Sequence, residues 1–186
     1  MSADEIPKKP ITSKVAYQTP WMTIHEERTL DTDGSEGFYA YIESPDSVMV
    51  VVVNGANEIY MIRGFRYPSR SFGWQLPGGG SDGEDMLTAA QRELGEETGI
   101  MAKSWTAIGS AYVCNGLMTE KMNVLLAKDI TFGDSKGSGD DALLIGDMRF
   151  FTEEEINDMI ESGEINDCQT ITGLAYYQNY TRNYNT

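Results

Sequence analysis

The sequence predicts an α/β fold in which helices pack on a mixed sheet, preceded by a small antiparallel β unit. Three observations support this prediction. The first 45 residues contain strand-like runs separated by a turn, residues 48–53 form a continuous apolar run typical of a buried strand, and strand-like and helical stretches then follow each other to the C-terminus. We therefore expect a flexible N-terminus (1–14), an N-terminal β unit (15–45) and a main domain (46–186).

The composition limits the classes of function. Asp and Glu number 29 against 14 for Lys and Arg, a formal charge of −15, so most of the surface would repel the backbone of a nucleic acid. The acidic excess either serves solubility or forms, in part, a cation site, and composition leaves both open. The single histidine, His25, leaves almost no material for catalysis by a histidine base or for a histidine-rich metal site.

The cysteines and the N-terminal segment bear on location. Cys114 and Cys168 are too few and too far apart to indicate a disulfide framework or a zinc site. The segment MSADEIPKKPITSK has no apolar run that would serve as a signal peptide, and no window reaches the roughly 18 apolar residues of a membrane span. We expect a cytoplasmic protein that binds neither nucleic acid nor a membrane.

The strand-like runs of the first part predict two hairpins. AYQTPWMTIHEERTLD and FYAYIES flank the turn TDGSEG, which predicts a small antiparallel hairpin. A hairpin of this size is too small to bury its own face, so we expect it to pack against a partner. Val48–Val53 and Glu58–Phe65 flank NGAN, a turn sequence, and predict a core hairpin.

The second part of the chain predicts a loop, three helices and further strands. FGWQLPGGGSDGE reads as a glycine-rich loop, followed by a helix, Glu84–Thr98, that ends at Gly99. WTAIGSAYVC, KMNVLLAKDI and MRFFT have strand composition. Two short helices follow, the first with a capping box formed by Thr152 and Glu155, and Gly163 joins them.

The helix that follows the glycine-rich loop carries crowded carboxylates. At about 100° per residue, an apolar stripe faces the core, Glu93 and Glu97 lie at its border, and Glu96 lies further toward solvent. A partly buried pair of carboxylates either shares a proton or binds a cation. A backbone carbonyl of the preceding glycines would complete an oxygen shell suited to Mg²⁺ or Mn²⁺, and Gly95 would clear space. From the helix alone, a solvated acidic helix with a tolerated glycine remains the alternative. The predicted stripe consists of Met86, Leu87, Ala90 and Leu94.

The stretch GGGSDGEDMLTAAQRELGEETGI has a further, spaced pattern. It resembles the Nudix box of the Nudix hydrolase family at every defined position, and nine fixed positions in 23 residues make a highly specific signal. These positions are Gly78, Glu84, Arg92, Glu93, Leu94, Glu96, Glu97, Gly99 and Ile100. One detail departs from the family pattern: Pro77 directly precedes Gly78, so the loop is one residue short, and the carbonyl of either Gly78 or Gly79 is left as the candidate metal ligand.

The resemblance implies an α/β/α sandwich that hydrolyses a nucleoside diphosphate linked to another group, with divalent cations held by the box helix. It implies Gly78, Glu93 and Glu97 as the metal site. Glu96 is implied as an additional ligand or base and Arg92, with Glu84, as a supporting residue that orients the acids. The cations would neutralise the charge of the pyrophosphate and lower the pKa of a bound water.

The flanking segments resemble the ADP-ribose pyrophosphatases, from about Trp21 to Tyr177. Arg63, Arg66, Tyr67 and Pro68 match the Arg-x-x-Arg-Tyr-Pro stretch of that subfamily, and Trp74–Pro77 match Trp-Glu-Leu-Pro except at Gln75. Arg63 and Arg66 are therefore candidate substrate-binding residues that would provide countercharge to a pyrophosphate. A surface salt bridge is the alternative role of each arginine.

Two further substrate and catalytic residues follow from the same resemblance. Trp21 would stack on the base, with a core tryptophan as the alternative. Glu120 lies where the subfamily places an acidic residue that closes over the metals, and is the candidate base or extra ligand; a surface carboxylate is its alternative. Cys114-Asn115 replaces the Ser-Pro that accompanies ADP-ribose specificity, which, with Gln75, weakens ADP-ribose as the sole substrate.

The sequence thus predicts a pyrophosphatase, dependent on Mg²⁺ or Mn²⁺, that acts on ADP-ribose or a related nucleoside diphosphate sugar. The subfamily resemblance implies a homodimer through the N-terminal β unit. Two alternatives remain: a housecleaning nucleoside triphosphate pyrophosphatase, and a non-catalytic sensor that binds nucleotide sugars. The sensor would be expected to lose metal ligands, whereas all three helix glutamates are present.

Overall fold

The computed structural model describes residues 7–133 and 145–184. The chain forms two compact units, one of Met1–Asp46 with Tyr112–Lys121 and the other of Ser47–Ala111 with Met122–Thr186. Among the described residues, no helix is both long enough and apolar enough to cross a bilayer.

The first unit is a three-stranded antiparallel sheet in the order β1-β2-β3. Its strands are β1 (Lys8–Gln18), β2 (Thr23–Asp31) and β3 (Glu36–Glu43). The predicted hairpin is present as β2 and β3, but β1 begins within the stretch that the sequence predicts as a flexible lead-in. Pro10 has no N–H to donate to a neighbouring strand. It is compatible with β1 because β1 is an edge strand, which pairs with β2 on one side only.

The loop of residues 113–120 also belongs to the first unit, where it is hydrogen-bonded to β3. Ile42 N–H donates to Leu117 O over 2.9 Å, and Thr119 N–H donates to Ile42 O over 2.9 Å. The hydroxyl of Tyr39 donates to Gly116 O over 2.7 Å. The segment in which the sequence predicts a closing acidic residue is therefore anchored to β3.

The second unit is built on a mixed sheet whose central order is β10-β5-β4-β9-β8, with β6 paired to β5 and β7 paired to β4. Its strands are β4 (Ser47–Val53), β5 (Ile59–Arg66), β6 (Ser71–Gln75), β7 (Gly78–Gly80), β8 (Ile100–Tyr112), β9 (Lys121–Phe132) and β10 (Ile145–Phe151). The sheet is mixed because β4 runs parallel to β9 and antiparallel to β5. The predicted core hairpin exists, but most of β4 pairs with β9, a partner distant in sequence.

Three helices accompany this sheet in the described part of the chain: α1 (Met86–Thr98), α2 (Glu153–Ser162) and α3 (Cys168–Tyr184). Val48, Val50 and Val52 point to one face of β4 and pack in a core cluster with residues of α1. The alternate residues of β4 are buried as well, and α3 also packs against β4. Burial on both faces explains the continuous apolar run, because a strand covered on one side alone would alternate.

The boundaries of the helices largely follow their caps. Asp85 is the N-cap of α1, and Gly99 ends this helix in the left-handed conformation. The predicted capping box of α2 is present, and Gly163 ends that helix with a φ of 80°. The third helix spans 17 residues, longer than the short helix that the sequence predicts.

The predicted apolar stripe of α1 is wrong at one position. Leu87 is 41% exposed, whereas Ala89, which the stripe omits, is buried with Ala90 and Leu94. Leu87 has nearly the same angle on the wheel as Leu94 but lies about 10 Å nearer the N-terminus. A helical wheel gives the angle of a side chain, but it does not show how far along the helix the covered sheet extends.

Candidate active site

The predicted glycine-rich loop is in part a strand, β7, that runs beside β4 and close to α1. Gly78, Gly79 and Gly80 pair with Met49, Val48 and Ser47. Because Gly79 is opposite Val48, its missing side chain would point toward α1.

Glu93 occupies the space beside Gly79. A Cβ atom added to Gly79 would lie 2.6 Å from the carboxyl carbon of Glu93. A Cβ atom on Gly78 would lie 2.1 Å from Val48 O, at a φ of 154°. Both positions therefore require glycine, Gly78 to pass the backbone of β4 and Gly79 to admit a carboxylate of α1.

Glu97 is bound to the same strand. Its Oε2 accepts a hydrogen bond from Gly78 N–H over 2.8 Å. Val50 N–H donates to Pro77 O over 2.8 Å, which turns the carbonyl of Pro77 toward β4. Since paired residues of an antiparallel ladder alternate between facing the partner and facing away, the backbone of Gly79 faces β4 and that of Gly78 faces away. This geometry favours the Gly78 carbonyl over that of Gly79 as a ligand directed toward the α1 carboxylates.

Glu93 and Glu96 on α1 differ in exposure in the direction that the helical wheel predicts. The side chain of Glu93 is 14% exposed and that of Glu96 is 44% exposed. Burial raises the pKa of Glu93 above its ordinary value, although Arg92 acts in the opposite direction. Desolvation thus outweighs the ion pair with Arg92, so the charged form of Glu93 has too little countercharge.

Arg92 holds this group of acids together. Its partners are Glu84 Oε2 at 2.8 Å, Glu93 Oε1 at 2.8 Å, Gly80 O at 2.9 Å, Glu96 Oε2 at 3.3 Å and Asp82 Oδ2 at 3.4 Å. The hydrogen bond to Glu84 is the main cause that raises the pKa of Arg92 above its ordinary value. Every donor nitrogen of the guanidinium faces the protein, so Arg92 fits an orienting role. Asp82 is a partner that the sequence pattern did not indicate.

The donors near β7 suit a hard divalent cation. Glu93 and Glu97 provide carboxylate oxygens, Gly78 provides a carbonyl oxygen, and the bare Cα of Gly79 leaves room beside them. Within the described residues, no three or more His, Cys, Asp or Glu side chains already form a ligand group. The hydrogen bonds explain this arrangement, because Glu93 is turned to Arg92 and Glu97 to Gly78 N–H.

The predicted substrate arginines lie on the hairpin of β5 and β6, but on different faces. Arg63 is opposite Trp74 and Arg66 is opposite Ser71, three residues further along β5. Side chains alternate along a strand, so Arg66 shares the face of Ile62, which packs with α1, and Arg63 has the opposite face. Arg63 lies 5.2 Å from the ring of Phe72. The structure therefore does not bring the two arginines together.

The two remaining predicted residues, Trp21 and Glu120, belong to the first unit. Trp21 is 74% exposed, and its backbone N–H donates to Thr19 Oγ1 over 3.2 Å in the turn between β1 and β2. The alternative of a core tryptophan is therefore wrong. Glu120 directly precedes β9, and its carbonyl accepts from Val113 N–H over 3.1 Å.

Comparison with known proteins shows which families this chain is similar to. The NUDIX domain model matches residues 43–166. ADP-ribose pyrophosphatase of Bacillus subtilis is 30% identical over 138 residues, 74% of each chain. An RNA pyrophosphohydrolase of Dinoroseobacter shibae is 52% identical over 54 residues, 28% of this chain and 32% of that protein.

The fold agrees as well. A crystal structure of an ADP compounds hydrolase matches with a TM-score of 0.83, at 19% identity, over 96% of each chain. This match confirms the predicted sandwich of a mixed sheet and helices with an N-terminal antiparallel unit. The chain belongs to the Nudix hydrolase family and is a pyrophosphohydrolase related to ADP-ribose pyrophosphatase.

Proposed function

We propose that this protein hydrolyses the pyrophosphate bond of ADP-ribose or a related nucleoside diphosphate sugar and releases a nucleoside monophosphate and a sugar phosphate. The observation that carries the proposal is the convergence of Glu93 and Glu97 on β7, where one carboxylate fills the space beside Gly79 and the other accepts from Gly78 N–H. The relationship to the Bacillus subtilis enzyme supports the substrate class.

Glu93, Glu97 and the carbonyl of Gly78 would hold Mg²⁺ or Mn²⁺. When bound, such an ion would supply positive charge to the pyrophosphate and lower the pKa of a bound water molecule. Arg92 positions Glu93 through the 2.8 Å hydrogen bond, and Glu84 in turn holds Arg92. These side chains keep the carboxylates in place before the substrate arrives, which lowers the cost of ordering them.

The remaining assignments concern the proton and the substrate. Of the two α1 glutamates that contact Arg92, Glu96 has the more exposed side chain. It is our candidate to accept the proton of the attacking water, with Glu120 as the second candidate. Arg66 would bind the phosphates and Trp21, with its exposed ring, would stack on the base. Arg63 is a weaker substrate candidate, because it lies on the other face of the hairpin.

A substrate screen with Mg²⁺ tests the proposal. The panel contains ADP-ribose, GDP-mannose, UDP-glucose, NADH, diadenosine polyphosphates and nucleoside triphosphates. We expect the nucleoside diphosphate sugars to have the highest kcat/KM. Glu97→Gln should lower kcat about 100-fold or more, since it removes one of the proposed ligands. Glu161→Gln, which removes an exposed carboxylate at the end of α2, is the matched control and should keep full activity.

Three results of the substrate screen would contradict this proposal. Turnover of nucleoside triphosphates alone would support the housecleaning alternative, and binding of nucleotide sugars without turnover would support the sensor. Equal activity in Glu97→Gln and the wild type would reject the metal assignment.

We also propose that the first unit mediates a homodimer. Several of its apolar side chains are about half exposed or more, namely Ile11, Val15, Tyr17 and Phe38. Apolar groups concentrated on a small sheet favour burial against a second copy. Size-exclusion chromatography with light scattering should give twice the 20.6 kDa chain mass, and a monomer would contradict this proposal.

A further inference from the structure

The hairpin of β5 and β6 contains two glycines that face each other across the strands. Gly64 and Gly73 are directly opposite each other, with the pair of Ile62 and Gln75 on one side and the pair of Arg66 and Ser71 on the other. All six residues share one face of the hairpin, because they are two residues apart along each strand. Neither glycine places a side chain between Arg66 and Gln75. A Cβ atom on Gly73 would lie 3.3 Å from Asn166 Oδ1.

The side chain of Arg66 extends past the two glycines to Gln75. Its Nε donates to Oε1 of Gln75 over 3.0 Å. Gln75 is only 6% exposed, and a Cβ atom on Gly64 would lie 2.8 Å from its Nε2. The contact between arginine and amide therefore depends on glycine at position 64.

The partner of Arg66 is neutral. Among the described residues, Arg66 forms no ion pair, and Gln75 is the side chain to which it donates. Arg92, in contrast, contacts four carboxylates. An amide fixes the position of a guanidinium and leaves its charge available, whereas a carboxylate of the same length would fix the position and neutralise the charge.

Gln75, which binds the Arg66 side chain, is close in the sequence to the proposed metal ligand Gly78. Gln75 and Gly78 are three residues apart, so their Cα atoms are at most about 11 Å from each other. Gly78 N–H is bonded to Glu97. Gln75 also shares the face of Ile62, which packs in the cluster with α1. The phosphates of a substrate held at Glu93 and Glu97 would be within reach of the long Arg66 side chain.

We propose that Gln75 is a specificity-determining residue, which positions Arg66 without neutralising it and thereby extends binding from capped nucleoside diphosphate sugars to ligands with an uncapped terminal phosphate. This inference rests on the proposed function, since it needs phosphates bound near Glu97. A terminal phosphate carries roughly 1.5 to 2 negative charges at neutral pH, more than a phosphate capped on both sides. Uncapped diphosphates should thus gain most from the free charge of Arg66.

Binding of two matched ligands tests this inference. α,β-Methylene ADP has a free terminal phosphate, and α,β-methylene ADP-ribose has the same bridge with a ribose cap; neither can be hydrolysed at the bridge. The Kd of each is measured with Mg²⁺ by calorimetry, and the ratio of capped to uncapped Kd reports the preference for charge. In Gln75→Glu we expect this ratio to fall about tenfold, because a unit charge is cancelled near the phosphates.

Three controls separate charge from structure. Gln75→Leu removes the hydrogen bond but adds no charge, so both affinities should weaken while the ratio stays. Asn57→Asp changes an amide to a carboxylate in the exposed turn before β5. It should leave both Kd values, and therefore their ratio, unchanged. Arg66→Gln removes the same charge from the other partner and should lower the ratio as Gln75→Glu does, which keeps the test valid where Gln75→Glu fails to fold.

The outcomes of this experiment and of the substrate screen are distinct. An unchanged ratio in Gln75→Glu or in Arg66→Gln, an equal fall in Gln75→Leu, or failure of the wild type to bind either ligand would overturn the inference. Absence of turnover in the wild type, with the expected ratios intact, would reject the proposed function and leave the role of Gln75 standing.

Discussion

Two arginines of the second unit have opposite surroundings. Arg92 contacts Asp82, Glu84, Glu93 and Glu96, whereas Arg66 is held by the neutral amide of Gln75. Both regions depend on a glycine that admits a polar side chain to the sheet, Gly79 beside Glu93 and Gly64 beside Gln75. The difference teaches that the same local solution serves two purposes: at Arg92 the positive charge orders carboxylates, and at Arg66 it is kept available for a ligand.

The largest expected effect concerns the glycine of the carboxylate region. In Gly79→Ala the new Cβ would lie 2.6 Å from the carboxyl carbon of Glu93, which must move. A displacement of about 1 Å costs roughly 100-fold in rate, so we expect kcat to fall by this order with little change in fold. Steady-state kinetics and a thermal melt check both. Gly80→Ala is the control, since its Cβ would lie 3.5 Å from Asp82, an ordinary contact, and it should keep near-normal activity.

Replacing the charged arginine of that region tests the ordering role directly. Arg92→Met leaves its carboxylate partners without countercharge. Because Arg92 is about a quarter exposed, water screens part of the loss, and we expect the free energy of unfolding to fall by about 2 kcal/mol. The kcat should fall about 10- to 100-fold, as for residues that orient metal ligands. Urea unfolding and kinetics measure the two effects, and an unchanged kcat would contradict the orienting role.

The carboxylate region should also respond to metal and pH. The folded state holds the proton of Glu93 more tightly than the ordinary pKa of 4.5 implies, so without metal the stability falls as pH rises from 4.5 through the raised pKa. Mg²⁺ at about 100 times its Kd should restore roughly 2.7 kcal/mol near neutral pH. In Glu93→Gln most of this gain should disappear. Thermal melts with EDTA and with Mg²⁺ measure it, and an equal gain in the variant would argue against Glu93 as a ligand.

A third glycine, Gly95, lies among the carboxylates of α1, but no side chain packs against it in the described structure. A Cβ atom there meets no heavy atom within 4 Å outside the local backbone of the helix. Gly95→Ala should therefore raise the free energy of unfolding by about 1 kcal/mol, the difference in helix propensity. Chemical unfolding measures this value. A stable variant with lost turnover would show that Gly95 makes room for the substrate or the ion, as the sequence predicts, and not for packing.

The smallest expected effect is on stability in the region of Arg66. Arg66→Gln removes an exposed side chain whose side-chain partner in the described part of the chain is neutral, so we expect the free energy of unfolding to change by less than about 0.5 kcal/mol. The same urea unfolding experiment as for Arg92→Met gives a direct comparison. A loss as large as that of Arg92→Met would remove the contrast between the two regions.

Most of the elements and the core of the site follow from local sequence. The strands β4, β8 and β9 contain runs of strand-forming residues, and Asp85, Gly99 and Thr152 cap helices as their side chains allow. The spacing of the Nudix box identifies the glutamates, and the 100° rotation of the helix separates Glu93 from Glu96 in exposure. These properties depend on residues within a few turns of each other.

The remaining features depend on contacts between distant segments. The sequence FGWQLPGGG reads as a loop because glycine disfavours strands, yet the ladders with β5 and β4 make β6 and β7 of it. The strand register places Arg63 and Arg66 on different faces, although both fit the same motif. Asp82 joins Arg92 only because the loop before α1 folds back on the helix.

The sequence by itself determined the family, the helix with its three glutamates and the division between a β-rich N-terminal part and a mixed-sheet domain. Only the tertiary structure decided that Gly79 faces Glu93, that Gly78 is bonded to Glu97, and that Arg66 rests on a neutral amide. The physical reason is that composition and periodicity report local conformation, whereas register between paired strands fixes which side chains meet.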